Sequence, residues 1–336
     1  MMTLDERIEN DLKQIYDNEI IPLKEIIAFV NRYKQFRLSE AEKLTKIFNS
    51  EDSEEAVSTR GLPGFFAGDR SERAKTVMVM LNPGRDVAQA NNPITTYETL
   101  IKLGINTNSL DDFISSYKEG SRNYGEIDKD RADNFDLKQA AFLKPWKDCG
   151  IEFPEGFLDD YEKKLLGSKN KEDKEKLKNA RTTAKRNVLM QKLQMDIVPY
   201  ASRSFSINDA NMEILFPFVE TLFDEIFRFK RTYVIFCSNY FETIFTKYKK
   251  YKKDHPGNID INIEIDSKDK QTKDLHDGEK SKPFTASCMP ITIHYNNSSQ
   301  RALIAHTFPN RALPNAFELM LKYGEFCYGV FKNSKI

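Results

Sequence analysis

Two apolar runs far apart in the chain each stop at a side chain that could serve hydrolysis. Thr76-Val77-Met78-Val79-Met80-Leu81 runs into Asn82-Pro83-Gly84, and Ala302-Leu303-Ile304-Ala305 runs into His306-Thr307-Phe308-Pro309. Both runs have strand length and end in a polar residue followed by a proline-containing turn. Ligands of open α/β sheets bind outside the carboxyl ends of the strands, so Asn82 and His306 are expected to face one pocket. An amide oxygen can orient a water without being a strong base. A neutral imidazole can donate a hydrogen bond to a group that gains negative charge as it departs. Asp86 is a nearby carboxylate able to activate water more strongly.

A third segment lies between them, Asp196-Ile197-Val198-Pro199. In this order the three motifs resemble those of the uracil-DNA glycosylase superfamily: a strand ending in Asn-Pro-Gly, a second ending in an Asn-Leu-Cys-Pro type segment, and a late strand ending in His with a Pro-containing loop. The resemblance implies metal-free, cofactor-free, monofunctional base excision that leaves an abasic site. It makes Asn82 the water-positioning residue and His306 the donor to the base's O2. Asp196 would read the base edge, and Tyr97 or Phe142 (with Trp146 as a further candidate) would stack on the flipped base. Asn310, Arg311 and Leu313, in the loop after His306, would contact or wedge the DNA, with Arg203 as a further DNA contact. Three residues depart from the family pattern: Met80 stands where a glycine is frequent, Thr307 where proline usually follows the histidine, and Asp196 where the family has Asn.

The last departure bears on substrate. An Asn side chain donates and accepts, matching uracil's N3–H and O4, whereas an ionised Asp only accepts and favours the amino group of cytosine. Gly84 replaces the tyrosine that excludes C5 substituents in the most uracil-restricted branch. Together they imply a 5-substituted, hypermodified cytosine, as in phage DNA, and a role in antiviral defence. Two other readings stay open: repair of uracil or another deaminated base, and an inactive nucleic-acid-binding module of the same fold.

The elements that must position these residues are strands alternating with helices. Strands are expected at Thr76–Leu81, Met195–Pro199, Tyr233–Cys237 and Ala302–Ala305, and Ile291–Tyr295 is expected to pair antiparallel with the last across a turn at 296–300. Helical periodicity covers Ile8 to Tyr16 and Ile21 to Val30, and Ser39-Glu-Ala-Glu reads as a capping box. The expected fold is a three-layer α/β/α sandwich with a four-stranded parallel core sheet. An N-terminal helical extension takes residues 1–60, and the α/β domain takes 61–336 with insertions at 105–190 and 254–282. The first insertion reads as charged and helical, and the second, rich in Asp, Lys and Gly, as an exposed loop.

Composition narrows the class. With 51 basic and 51 acidic residues the net charge is zero, so attraction to nucleic acid must come from local patches. Lys247 to Lys253, where lysines alternate with tyrosines, and Lys174 to Lys192 are the candidates. Four cysteines (Cys149, Cys237, Cys288, Cys327) lack metal-ligand spacing, which points to reduced thiols in a cytoplasmic protein and no metal. No apolar stretch has the length of a membrane span. DNA is the expected partner, and no obligate protein partner is implied.

Overall fold

The computed structural model describes residues 2–16, 65–81, 134–159, 167–199, 209–256, 260–276, 283–308 and 316–334, with isolated positions near 111–118. Asn82, Gly84, Asp86, Tyr97, Arg203, Asn310, Arg311 and Leu313 lie outside the described residues, as do the expected helices at 21–30 and after Ser39.

The fold is α/β. Eight described strands form one mixed sheet: β1 (Phe66–Gly68), β2 (Thr76–Met80), β3 (Leu193–Asp196), β4 (Tyr233–Phe236), β5 (Ile261–Glu264), β6 (Gln271–Leu275), β7 (Phe284–Tyr295) and β8 (Ser298–Ala305). Their order is β1-β3-β2-β4-β8-β7-β5, with β6 also on β7. The stretch β3-β2-β4-β8 is a short parallel run, and helices pack on the sheet. The sheet is thus larger than the four parallel strands expected. It grows because β7 turns back on β8, and β7 is long enough to pair with two short strands along its other edge.

The chain divides into two compact units. In the first (Met1–Ala67, Val79–Ile127, Gln194–Phe229), helix α1 (Leu4–Tyr16) starts with a capping box. Glu6 N–H donates to Thr3 Oγ1 at 3.2 Å and Thr3 N–H donates to Glu6 Oε2 at 2.8 Å, satisfying two donors that a helix start leaves unpaired. Leu4 and Ile8 are buried, as is Arg7, whose guanidinium lies 4.1 Å over the ring of Phe218. Phe218 belongs to a second, apolar helix of this unit, Phe216–Phe227. Arg7 Nε also donates to Thr221 Oγ1 on that helix, at 3.3 Å.

The second unit (Gly68–Met78, Asp128–Leu193, Lys230–Ile336) holds most of the sheet. Its helices include α2 (Asn134–Leu143), α3 (Lys171–Gln191), α5 (Tyr240–Asp254) and α6 (Phe317–Asn333), α4 being the Phe216–Phe227 helix. β4 and β8 run parallel with Ile235 opposite Leu303 and Phe236 opposite Ile304. All four residues of β4 and all of Ala302–Ala305 are buried, the continuous apolar pattern of strands covered on both faces. β7 and β8 form a hairpin turning at Asn296, whose φ of 51° is a left-handed value that Asn tolerates better than most residues. α2 and α6 approach so closely that a side chain on Gly324 would collide with the Phe142 carbonyl.

The segment 254–282 is not the open loop its composition suggested. It supplies β5 and β6, separated by a 3-10 turn at Ser267–Asp269. Ile261 and Ile263 point inward between exposed Asn262 and Glu264, a period-2 pattern that the surrounding Asp, Lys and Gly obscured. β6 pairs with β7 along 284–288 and β5 along 292–295. Pro290 falls between these two stretches, where the outer edge of β7 has no partner among the described residues. A residue without an N–H fits such a gap in the ladder.

Candidate functional site at the carboxyl end of β8

His306 follows β8 directly, and the apolar run before it brings it there already buried, its side chain only 3% exposed. Its backbone N–H donates to Ser287 O at 3.0 Å, extending the hairpin register of Cys288 opposite Ala305 by one pair. The ring Nε2 lies 2.8 Å from Glu242 Oε2. Nδ1 is also buried and has no hydrogen-bond partner among the described residues. The Ser287 hydroxyl, on the residue opposite His306, is likewise buried and unpartnered.

Glu242 comes from the first turn of α5, which follows β4, the parallel neighbour of β8. Asn239-Tyr-Phe-Glu242 has the spacing of a capping box, but Asn239 makes no capping bond. The Ser238 hydroxyl accepts from Tyr240 N–H instead, at 3.2 Å. Glu242 turns to His306, and two groups from the turn between β5 and β6 hold its carboxylate. Ser267 Oγ donates to Oε1 at 2.9 Å, and Lys270 Nζ lies 3.5 Å from Oε2.

These contacts fix the charges. Burial opposes ionisation of Glu242, but hydrogen bonds from Ser267 and His306 and the charge of Lys270 outweigh it, so its pKa is lowered. Burial lowers the pKa of His306 and Lys270 lowers it further, more than Glu242 raises it. A neutral imidazole beside an ionised carboxylate must carry its proton on Nε2. Nδ1 is then a lone pair. The expected role of His306 as a neutral donor toward substrate does not fit this tautomer, because the only N–H is already given to Glu242.

On the other side of the hairpin, Tyr323 of α6 donates its hydroxyl to Ser287 O at 3.1 Å and accepts from Thr307 N–H at 3.2 Å. The Thr307 hydroxyl accepts from Ser287 N–H at 2.8 Å. Thr307 thus ties the turn to β7. Burial holds the Tyr323 hydroxyl well above its ordinary pKa, so it stays protonated.

Phe142 is fully buried, its ring edge-on to Phe308 at 4.9 Å and Tyr323 at 5.2 Å. Trp146 is buried against Tyr233 at 5.0 Å. Both sit in the core beneath α6. Asp196 ends β3 in the first unit, half-buried, its backbone N–H 3.4 Å from Phe65 O. Of the basic stretches, Lys247–Lys253 lies toward the far end of α5 from Glu242, up to about 16 Å along the helix axis at 1.5 Å per residue. Of its two tyrosines, Tyr248 is wholly buried and Tyr251 half-buried. Lys192, at the end of the other stretch, is also buried, so it belongs to no exposed patch.

An open groove of about 1070 Å³ runs between β6 and α6, lined by Lys273, His276, Lys322 and Glu325 among others, and includes none of the His306 group. Its charged lining residues are of both signs. Among the described residues no set of three or more His, Cys, Asp or Glu side chains is arranged to hold a metal ion, and no helix is long and apolar enough to cross a membrane. No protein-family model, no curated protein and no solved structure matches this chain.

Proposed function

We propose that this protein is a monofunctional DNA glycosylase that flips out and hydrolyses off a 5-substituted cytosine, leaving an abasic site. In this reading the α/β fold is a three-layer sandwich whose working strands are the parallel run. What supports it most is the order of that run, β3-β2-β4-β8. Numbered by their own succession in the chain, the strands stand second, first, third, fourth, and in open α/β sheets of this kind ligands bind at the carboxyl ends near the reversal of order. Asp196 ends β3 and His306 follows β8, and Asn82 comes two residues after β2 in the sequence. Asn82 orients the water, Asp196 accepts from the cytosine amino group, and His306 contributes through the nitrogen that Glu242 leaves bare. Extrusion of the nucleotide costs roughly a few kcal/mol of unstacking, and the hydrolysis itself needs only water.

The test is a panel of duplexes carrying a 5-substituted cytosine, unmodified cytosine, or uracil opposite guanine, scored for alkali-labile sites and for released bases by mass spectrometry. Release of the substituted cytosine alone is expected, and the Asp196→Asn variant should shift preference toward the matching uracil by about 1–3 kcal/mol, the value of one base-edge contact. Release of uracil alone identifies a repair enzyme. Retained DNA affinity with no base released identifies a binding module.

A further inference from the structure

We propose that Glu242 is a positioning residue that locks His306 in its Nε2–H tautomer, so that His306 meets the substrate as a hydrogen-bond acceptor through Nδ1. The partner of Nδ1 must then carry a hydrogen, as an O–H or an N–H. A base carbonyl such as O2 cannot be that partner. The inference rests on three observations: the 2.8 Å contact from Nε2 to Glu242, the two further groups that keep Glu242 ionised, and the buried, unpartnered Nδ1. Burying a polar nitrogen without a partner costs free energy, and such atoms in folded proteins call for an explanation. The unpartnered Ser287 hydroxyl is its cross-strand neighbour, with Cβ atoms of opposed residues about 5 Å apart, so a second polar group stands beside the first.

The titratable groups facing His306 are Glu242 from α5 and Lys270 from the turn between β5 and β6, while Tyr323 of α6 is held at the backbone of Thr307 and Ser287. Of these only Glu242 can accept from Nε2. The identity of the hydrogen-bearing atom rests on the glycosylase reading and has two sources. One is the attacking water: its oxygen bonds to the sugar carbon as the carbon–nitrogen bond breaks, the electron pair leaves with the base, and the water's proton goes to Nδ1, giving an imidazolium paired with Glu242. The other is the exocyclic amino group of the cytosine.

Long-range proton–nitrogen NMR spectra of the full ¹⁵N-labelled chain, with His306 assigned by the His306→Gln variant, read the tautomer in the free protein. At neutral pH a protonated Nε2 and a bare Nδ1 are expected, and Glu242→Gln should convert this to a mixture of tautomers. A protonated Nδ1 in the parent overturns the proposal, and so does a spectrum that Glu242→Gln leaves unchanged. Single-turnover cleavage of duplexes carrying 5-hydroxymethylcytosine or 5-hydroxymethyluracil separates the sources. Equal losses of about 10²–10⁴-fold in His306→Gln on both, with an ascending pH limb, assign the water. A loss of about tenfold to a hundredfold confined to the cytosine assigns the amino group. No loss on a base that the parent releases ends the acceptor role. A chain that releases neither base sinks the glycosylase reading, while the spectra still decide the tautomer.

Discussion

The hairpin of β7 and β8 carries two histidines, and each has a glutamate beside it. His294 Nε2 lies 3.1 Å from Glu264 Oε1 across the β5–β7 pairing, and its Nδ1 is 2.8 Å from Ser299 Oγ. Its side chain is 35% exposed and that of Glu264 53%. His306 has the shorter contact, to Glu242, is 3% exposed, and leaves Nδ1 unpartnered. A His–Glu contact alone therefore says little. At the more exposed position Nδ1 has Ser299, while Nε2 is buried and makes no hydrogen bond of its own despite lying near Glu264, and an ion pair so exposed is worth little. At a buried one, a carboxylate on one nitrogen decides what the other can do.

The largest expected difference between the two is catalytic. His306→Ala should slow single-turnover base release by about a hundredfold to a thousandfold, the usual loss of one well-placed group, while His294→Ala stays within about twofold. Equal effects would erase the distinction. Their glutamates should follow suit: Glu242→Gln is expected to cost about tenfold or more in the same assay, and Glu264→Gln nothing measurable.

A smaller effect concerns pH and stability. His306 binds its proton more weakly in the folded protein than its ordinary value of 6.5, so the unfolded chain takes up protons first as pH falls below about 6.5. Stability should fall there, by at most about 1.4 kcal/mol per pH unit for one group, and His306→Gln should lack that slope. Glu242, whose pKa is lowered from 4.5, contributes stability above its ordinary range and loses it only at more acid pH, so it does not mask the comparison. Denaturant titrations from pH 7 to pH 5 measure this. Smallest of all, Glu264→Gln should change unfolding free energy by about 1 kcal/mol or less, as for other exposed pairs. A larger change in the melting temperature would mean that the β5 edge depends on it.

His306 was legible in the sequence because a continuous apolar run stopping at a polar residue needs only local order to be read. β2, β4 and β8 were legible for the same reason. Glu242, Ser267, Lys270 and Ser287 were not. They come to the group around His306 from a helix start, a turn and a neighbouring strand, Ser267 and Lys270 through Glu242, and Glu242 in particular has the spacing of a cap it does not form. The one available signal was its place in the first turn of a helix after a parallel strand, where side chains stand at the carboxyl end of the sheet. β5 escaped notice because two inward isoleucines are a thin pattern amid charge. Phe142 lies in the core, and from the sequence an aromatic in a helix looks alike whether it faces a ligand or the core.

Pro290 ties several of these features to one covalent fact. Its ring removes a donor from β7 at the place where β5 and β6 part, so the segment 261–275 meets β7 as two short strands. The residues that leave the sheet between them include Ser267 and Lys270, the two that brace Glu242. Pro290 thus lies in the gap between the two pairings from which the groups bracing Glu242 leave the sheet. Pro290→Val, which restores the missing donor, is expected to shift the His306 titration by moving Ser267 and Lys270, without touching an ionisable group, and an unchanged titration curve would separate this edge from the site.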